Sequence, residues 1–549
     1  TAINDPVPMA TDSDGNFYFA LFSADSVGEE KTLNVVARDG SGNPLWTKAL
    51  DEISFHRPDS PQIVWEADSL HIFWMEGKAL YSLVLDQDAQ ILSEPKLLSA
   101  DIVVGSYSLA VDSSGGHTLW LSGPRENTGV YALSSLDGTG DLLPVDPEGM
   151  RAQLRYDQDD NLHATWLQYP LGYGRSQILY AFYPAGSEIS SIRPQAVYEL
   201  SVGPSNSLDG PALGIDEDTA YLFWAVIVRT GLDAGAVQTA YLHFPLGEPA
   251  QASKPAKIVV PSDYSFEYEP FARESLLAGD RVLLENAVGF RTHELKEFVP
   301  TTLQAGELGM IFRAQNQYLW RKVRDQVDVV YFDAGQATSY QPLTFTPALS
   351  TSPNLYNDSD GYLYGTWLEK IETDFYAVYF ASTAPAIEET FNQSSGRELG
   401  RIFAQASFGM LVGTLMAPIA AGVLVIAPLG ILFLFAPFRK KGSLRVQNVF
   451  SIISLLFAIA AFWVGKFAVF PAMLDYVPFS AWVPEIAPLL SEILRYGVPV
   501  LTALIAFFVA WFYTYRQSNK STLYFILIYV GVDSLITAAI YAVLIYGAI

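Results

Sequence analysis

Hydrophobic and polar residues alternate with a period of two through most of residues 1–390, whereas the C-terminal part contains long apolar runs. Period-two alternation rich in Tyr, Phe and Val, bounded by Asp-Gly, Asn and Pro, predicts β-strands joined by tight turns. Apolar runs of about 20 residues predict helices that cross a bilayer. The pattern therefore predicts an all-β domain followed by an all-α transmembrane domain.

One pattern recurs seven times in the β part: an acidic or Gly-bearing turn, a strand carrying a large hydrophobic residue, and a second aromatic strand. The seven hydrophobic positions are Leu21, Trp74, Trp120, Trp166, Trp224, Phe312 and Trp367. Their separations are 53, 46, 46, 58, 88 and 55 residues, and most match the length of a four-stranded propeller blade. We predict a β-propeller of about seven blades. The longest gap leaves open an insertion near residues 267–301 or an eighth, degenerate blade.

The turn at residues 12–17, with the sequence DSDGNF, resembles the strand-connecting turn of the broad sialidase-like and NHL-like propeller superfamily. The resemblance covers residues 1–390 and implies the fold alone. The segment VDSSGGHTLW at residues 111–120 approximates the sialidase Asp-box but departs from its spacing. No sialidase active site is carried over, because propellers host many unrelated functions.

Four apolar segments are long enough to cross a membrane. The predicted spans are residues 413–438, 448–474, 498–513 with their flanks, and 523–549. A juxtamembrane linker or helix is predicted at residues 391–412, and an amphipathic helix at the external interface near residues 482–496. The whole transmembrane domain then comprises residues 413–549.

Basic residues in the short loops predict the orientation, because cytoplasmic loops collect Lys and Arg. The loops after the first and third spans contain Arg439, Lys440, Lys441, Arg445, Arg516 and Lys520. We therefore expect an integral protein of the cytoplasmic membrane, with the β domain and the C-terminus on the extracytoplasmic side. The first residue is Thr1 rather than Met, which suits a mature product after removal of a signal peptide.

Charge and cysteine content exclude several classes of function. The first 400 residues carry 54 acidic against 24 basic residues, and such a surface repels the phosphates of nucleic acids. The chain has no Cys, so disulfides, thiolate metal sites and a Cys nucleophile are excluded. The expected partners are the lipid bilayer and other membrane or surface protein subunits, with no nucleic acid.

Two ionisable residues and two glycines stand out within the spans. Lys466 and Asp533 are the ionisable residues placed well inside a span, where such residues are a functional hypothesis by default. Their estimated depths differ by ~13 Å, so we expect Lys466 to extend toward the outer interface and Asp533 to bond to a neighbouring helix or a partner subunit. Gly409 and Gly413 form a small-xxx-small pair that permits close helix packing.

Three histidines occur in the propeller repeat. His71, His117 and His163 each lie three residues before a repeat tryptophan, which raises the hypothesis of a ring of metal ligands. Tyr221 and Tyr364 hold the same position in other copies, so packing between blades explains the position better than a metal does. The predicted blade-packing tryptophans are Trp74, Trp120, Trp166, Trp224 and Trp367.

Acidic turns are candidates for Ca²⁺ sites, since this cation prefers several carboxylate and carbonyl oxygens. The candidate ligands are Asp12, Asp14, Asp358 and Asp360. Asp and Gly also favour tight turns by themselves, and this explanation is preferred. No other cofactor is predicted.

No hydrolase elbow, zinc-protease helix, Walker loop or dinucleotide fingerprint occurs in a suitable context, and the many carboxylates do not single out a catalytic pair. No catalytic residue is therefore predicted. The favoured function is a membrane-anchored propeller that acts as a recognition or scaffolding subunit of a larger membrane or cell-surface assembly. Two alternatives stay open: a glycan-binding protein or glycoside hydrolase, and a transporter or channel component that uses Asp533.

Overall fold

The structure is a computed structural model of the chain. It describes residues 5–23, 31–53, 55, 58–100, 102–134, 141–169, 175–189, 193–203, 206–231, 234–258, 260, 281–284, 295–303, 306–319, 322–344, 346, 348–358, 361–372, 375–391, 396–438, 449–470, 473, 477–479, 488–516 and 521–542. Two compact units are present. One comprises Thr1–Tyr318 and Val323–Gln393, and the other comprises Leu319–Lys322 and Ser394–Ile549.

The first unit is a seven-bladed β-propeller, as predicted. Each of the first four blades is an antiparallel sheet whose four strands follow in chain order. Blade 1 contains β1 (Met9–Thr11), β2 (Phe17–Ser23), β3 (Thr32–Arg38) and β4 (Pro44–Ala49). Blade 2 contains β5 (Pro58–Glu66), β6 (Ser69–Glu76), β7 (Ala79–Asp86) and β8 (Ile91–Leu97). Blade 3 contains β9 (Ser106–Val111), β10 (His117–Ser122), β11 (Val130–Leu133) and β12 (Leu142–Asp146). Blade 4 contains β13 (Gly149–Tyr156), β14 (Leu162–Gln168), β15 (Arg175–Tyr183) and β16 (Gln195–Ser201).

Blade 5 keeps this plan, and the last two blades vary it. Blade 5 contains β17 (Ser207–Ile215), β18 (Thr219–Ile227), β19 (Val237–Pro245) and β20 (Ala256–Lys257). Blade 6 contains β21 (Val282–Leu283), β22 (Lys296–Thr302), β23 (Leu308–Leu319), β24 (Lys322–Asp333) and β25 (Gln336–Pro342). Blade 7 contains β26 (Ser350–Asn357), β27 (Leu363–Glu372) and β28 (Phe375–Ser382). The 88-residue gap holds no eighth sheet among the described residues; it supplies β21 as the outermost strand of blade 6.

The repeat tryptophans lie where neighbouring blades meet. Trp74 packs with residues of blades 1 and 2, and Trp224 with residues of blades 4 and 5. Trp120 and Trp166 meet between blades 3 and 4, and Trp367 packs with residues of blades 6 and 7. The second strand of each blade is covered on both faces by neighbouring blades. It therefore needs apolar residues at successive positions, which explains its nearly continuous hydrophobic sequence.

Blade 7 meets blade 1 through side chains rather than through a shared strand. The Phe17 ring lies 5.9 Å from the Tyr364 ring and 5.8 Å from the Phe380 ring. The Thr366 hydroxyl donates to the Val7 carbonyl at 2.8 Å. Each described sheet takes its strands from one continuous stretch of chain, so the ring closes by packing and by a few side-chain hydrogen bonds.

After helix α1 (Pro385–Phe391), the described residues of the second unit form five α-helices. They are α2 (Gly396–Leu424), α3 (Ile426–Leu434), α4 (Val449–Val469), α5 (Pro488–Arg516) and α6 (Thr522–Tyr541). In the described part of the chain, four segments are long and apolar enough to span a membrane, and α2 and α3 together provide one of them. This result fits the predicted membrane protein.

Two helix boundaries differ from the predictions. α2 runs without interruption across the predicted boundary at residue 413, with Pro418 inside it, and is interrupted at Val425. The predicted interfacial helix near residues 482–496 is not separate, since α5 runs without interruption from Pro488 into the third span. Pro488 suits the first position of a helix, where its missing N–H has no partner to lose. The remaining residues of that prediction lie outside the described part of the chain.

Candidate functional site

In each blade, the strand that precedes the strand of the repeat hydrophobic residue (β1 in blade 1, β26 in blade 7) is called the inner strand. The acidic turns at the ends of these inner strands are held by their own aspartates. Asp12 Oδ1 accepts hydrogen bonds from the backbone N–H groups of Asp14 and Asn16, both at 2.9 Å. Asp12 Oδ2 accepts from the hydroxyl of Tyr18 at 2.9 Å. Asp14 is exposed. These contacts are those of an Asx-type turn, which is the explanation that the sequence favoured.

The turn at Asp358 repeats this arrangement in blade 7. Its Oδ1 accepts from the Tyr362 N–H at 2.9 Å, and its Oδ2 accepts from the Tyr364 hydroxyl at 2.8 Å. Asp360, the fourth calcium candidate, lies outside the described residues. In blade 5 Asp216 accepts from the Tyr221 hydroxyl. The aspartate of each of these turns thus orients an aromatic residue of the following strand.

In blade 4, His163 takes the place of the aromatic residue that the turn aspartate orients. Its Nε2 lies 2.9 Å from Asp157 Oδ2, and its Nδ1 lies 2.6 Å from the Tyr180 hydroxyl. The ring is fully buried, and this burial lowers the pKa of His163, while Asp157 opposes the shift. Both ring nitrogens therefore have protein partners, as expected for a packing residue.

His117 departs from the predicted equivalence. It pairs with Val111, the residue directly before the turn aspartate Asp112. His163 instead pairs with Arg155, which lies two residues before Asp157. A shift of one residue in a strand exchanges the two faces of the sheet. The prediction that the three histidines occupy one repeat position is therefore wrong for His117, which turns toward blade 2.

There His117 meets Glu66 and His71 at the seam of blades 2 and 3. His117 Nδ1 lies 3.0 Å from Glu66 Oε2, and His71 Nε2 lies 3.8 Å from the same oxygen. The two imidazole rings are 5.4 Å apart. Burial lowers the pKa of both histidines, against the opposing effect of Glu66. Neutral imidazole is the form that binds metals.

The sequence repeats alone do not reveal this cluster. His117 has the same spacing to its tryptophan as the other two histidines, and this spacing conceals its offset in blade 3. One feature of the sequence does mark the cluster. In blade 2, Glu66 takes the place of the turn aspartate before the short hairpin at Ala67 and Asp68.

A repeated bulge marks the opposite end of the inner strands. Positive φ values occur near the start of these strands in five blades, at Ser60, Arg151, Gly210, Glu297 and Ser352. The strand register shifts at each of these positions. Non-glycine residues in this conformation cost energy and are concentrated at functional sites.

A groove of about 740 Å³ opens at this end between blades 3, 4 and 5. Arg125 and Arg151 line it and are exposed. Arg151 Nη1 donates to the Leu208 carbonyl at 2.6 Å, and the Arg125 guanidinium lies 5.2 Å from the centre of the Tyr169 ring. Glu126 is the one carboxylate among the described lining residues. The groove thus offers cationic and aromatic surface on an acidic domain.

In the helical unit, Lys466 and Asp533 are in direct contact. Lys466 Nζ donates to Asp533 Oδ2 at 2.7 Å, and the Thr502 hydroxyl donates to Oδ1 at 3.2 Å. The expectation that Lys466 extends away from Asp533 is wrong. Successive spans alternate in direction, so α4 and α6 run the same way, and helical side chains lean toward the N-terminus of their helix. Lys466 therefore reaches back along α4 toward the depth of Asp533.

Gly413 lies where α2 crosses α6. A Cβ atom at this position would lie 2.2 Å from the Ala538 carbonyl oxygen, so only glycine permits this approach without a shift of the helices. Gly409, one turn earlier on α2, is also buried.

Asp328 of β24 is a buried acid that the sequence did not single out. Its side chain has no exposed surface. The Asn316 amide donates to its Oδ2 at 2.6 Å. Burial raises the pKa of Asp328 to about 7, although hydrogen bonds from Tyr340 and Asn316 oppose the shift.

No family model and no curated protein matches the chain. Solved structures with propellers are similar to it. The β-propeller domain of the Trilobed protease from Pyrococcus furiosus aligns with 72% of this chain and 100% of its own, at 10% identity and a TM-score of 0.37. A Trypanosoma rangeli sialidase in complex with sialic acid aligns with 75% of this chain and 58% of its own, at 10% identity and a TM-score of 0.34.

A prolyl endopeptidase aligns over 70% of this chain at 12% identity and a TM-score of 0.37. The alignment covers 51% of that protein, so the present chain spans about half the length of this relative. These similarities concern the fold alone, and the predicted propeller is confirmed by the seven sheets of the chain itself.

Proposed function

We propose that this chain is a membrane-anchored recognition protein whose propeller binds a carboxylate-bearing segment of another surface protein. The groove between blades 3, 4 and 5 receives this segment. The four spans hold the propeller at the extracytoplasmic face of the membrane, in the orientation that the basic loops favour.

The observation that carries the proposal is the pair of exposed arginines, Arg125 and Arg151, in the groove of a strongly acidic domain. Guanidinium groups bind carboxylates through paired hydrogen bonds. Glycoside hydrolysis usually uses two carboxylates, whereas Glu126 stands alone among the described residues of the groove. Binding is therefore favoured over hydrolysis.

The test is purification of the full chain from its native membrane in mild detergent, followed by mass measurement of the particle. We expect a mass above that of one 60.4 kDa chain with its detergent, and a co-purifying surface protein. The double variant Arg125→Ala, Arg151→Ala should lose that protein. Lys370→Ala, which removes an exposed cation from blade 7, should retain it.

A monomeric particle without any companion protein would contradict the proposal. So would a complex that the groove variant leaves intact. Circular dichroism of each variant establishes that the propeller is still folded.

A further inference from the structure

The contact between Glu66, His71 and His117 brings side chains from two blades together. Glu66 and His71 belong to blade 2, and His117 belongs to blade 3. We propose that these three residues form a binding site for a zinc-type divalent transition metal, with one coordination position left for water. The site would link blades 2 and 3 in a chain that has no cysteine for a disulfide.

The spacing of the ligand atoms suits a metal ion. Ligands bound at about 2.0–2.1 Å in a tetrahedral site lie roughly 3.3 Å from one another. The Glu66 oxygen is 3.0 Å from His117 Nδ1 and 3.8 Å from His71 Nε2, and one possible ligand atom of each residue lies within 4.8 Å of those of the other two. Both distances to the Glu66 oxygen thus lie within about 0.5 Å of the tetrahedral spacing.

The ligand types select the metal. Two imidazoles and one carboxylate suit Zn²⁺ and its neighbours in the transition series, whereas Ca²⁺ takes six to eight oxygen ligands. The His117 side chain is 1% exposed, while His71 is 22% and Glu66 is 35% exposed. The site therefore has a buried base and an open side, which gives access to the metal and to a fourth ligand from solvent.

The two ring nitrogens of His117 differ in their surroundings. Nδ1 faces Glu66, whereas Nε2 is buried and has no hydrogen-bond partner among the described residues. Ser69 Oγ lies 3.1 Å from His71 Nε2 and donates to the Glu66 carbonyl at 2.8 Å. When His71 binds the metal, Ser69 keeps its bond to the backbone of Glu66.

The experiment uses the full chain in detergent, without an affinity tag of histidines and after removal of metals by a chelator. Titration with Co²⁺ should give visible absorption bands of a four-coordinate site and saturate at one equivalent. Zn²⁺ should then displace the Co²⁺. Glu66→Gln and His71→Gln should each weaken Co²⁺ binding by at least ~100-fold, since even partners of metal ligands change affinity by about 10–100-fold.

His243→Gln is the matched control, because His243 is a half-buried propeller histidine bonded to Ser253. It should bind Co²⁺ like the wild type. Zn²⁺ should raise the unfolding temperature of the wild type and of this control, and leave those of the two ligand variants unchanged.

X-ray absorption of the zinc-loaded wild type provides a test that needs no variant, and it should show two imidazole ligands. Absence of binding at millimolar metal, equal affinity in the ligand variants, or a spectrum without imidazole would overturn the proposal. The groove of the recognition proposal lies at the other end of the inner strands, so either proposal can fail without the other.

Discussion

Each of the two units buries an aspartate without any exposed surface, and the two aspartates are stabilised in different ways. Asp533 in the helical unit faces the ammonium group of Lys466 at 2.7 Å. Asp328 in blade 6 has an amide donor in Asn316 and a raised pKa of about 7. Burial disfavours a charged carboxylate in both places. An opposite charge offsets this cost in the helices, and uptake of a proton relieves it in the propeller.

The difference shows what each acid can be used for. An aspartate that is paired with lysine and bonded to Thr502 locks three helices together, and this role explains it without an ion pathway. The transporter alternative thereby loses its main motivation. Asp328 is instead a group whose charge changes near neutral pH, so its effect on stability depends on pH.

Removal of Asp533 should have the largest effect. Asp533→Leu leaves Lys466 buried without its partner, which typically destabilises a protein by about 3–5 kcal/mol. The double variant Asp533→Leu, Lys466→Met should recover most of that loss. Thermal unfolding in detergent, followed by a helix signal, measures both. Equal losses in the single and double variants would show that the pair is not the source of stability.

Removal of the charge of Asp328 should stabilise the protein, in contrast to removal of Asp533. Because its folded pKa of about 7 exceeds the unfolded value, the folded state binds more protons between about pH 4 and 7, and stability falls as pH rises through this window. Asp328→Asn should remove this fall and stabilise the propeller at pH 8 by roughly 2–4 kcal/mol.

The measurement for Asp328 is the difference in unfolding temperature between variant and wild type at pH 5 and at pH 8. Other titrating groups cancel in this difference. A difference that does not depend on pH would mean that Asp328 is ionised in the folded state throughout the range.

The helix crossing at Gly413 places α6, and with it Asp533, against α2. Gly413→Ala forces the helices apart and should cost about 1–3 kcal/mol, the usual cost of overpacking. Gly422→Ala on the same helix meets no atom within 4 Å and should be neutral or stabilising by up to about 1 kcal/mol. Equal unfolding temperatures for the two variants would contradict this packing.

At the seam of blades 3 and 4, the indole N–H groups of two tryptophans differ in the same way, since one has a hydrogen-bond partner. Trp166 Nε1 donates to the buried Asp146 at 2.7 Å, whereas Trp120 Nε1 is buried without a partner among the described residues. Trp166→Phe should therefore cost about 1–2 kcal/mol more than Trp120→Phe. Propeller unfolding temperatures provide the readout, and equal losses would remove the role of this hydrogen bond.

The sequence predicted the parts of the molecule that repeat. Seven copies of one pattern were sufficient to predict a propeller of about seven blades, because each blade must bury its two faces against its neighbours. It did not reveal the offset of His117, since a shift of one residue leaves the spacing to Trp120 unchanged while it exchanges the faces of the strand.

Single contacts between distant segments were also hidden. Whether Lys466 reaches Asp533 depends on helix stagger and side-chain direction, which hydrophobicity alone does not encode. The groove was missed for a similar reason, because Arg125 and Arg151 belong to different blades and come together only through the curvature of the ring.

The closure of the propeller by side chains has a consequence for how the chain is made. Because each described sheet uses strands from one continuous stretch, blade 1 can complete its hydrogen bonds during synthesis without waiting for the last blade. The aromatic contacts of Phe17 with Tyr364 and Phe380 can form only after blade 7 has emerged. The same layout makes the boundaries between blades natural places for new chain ends, so a circularly permuted propeller that begins with blade 2 should assemble the same ring.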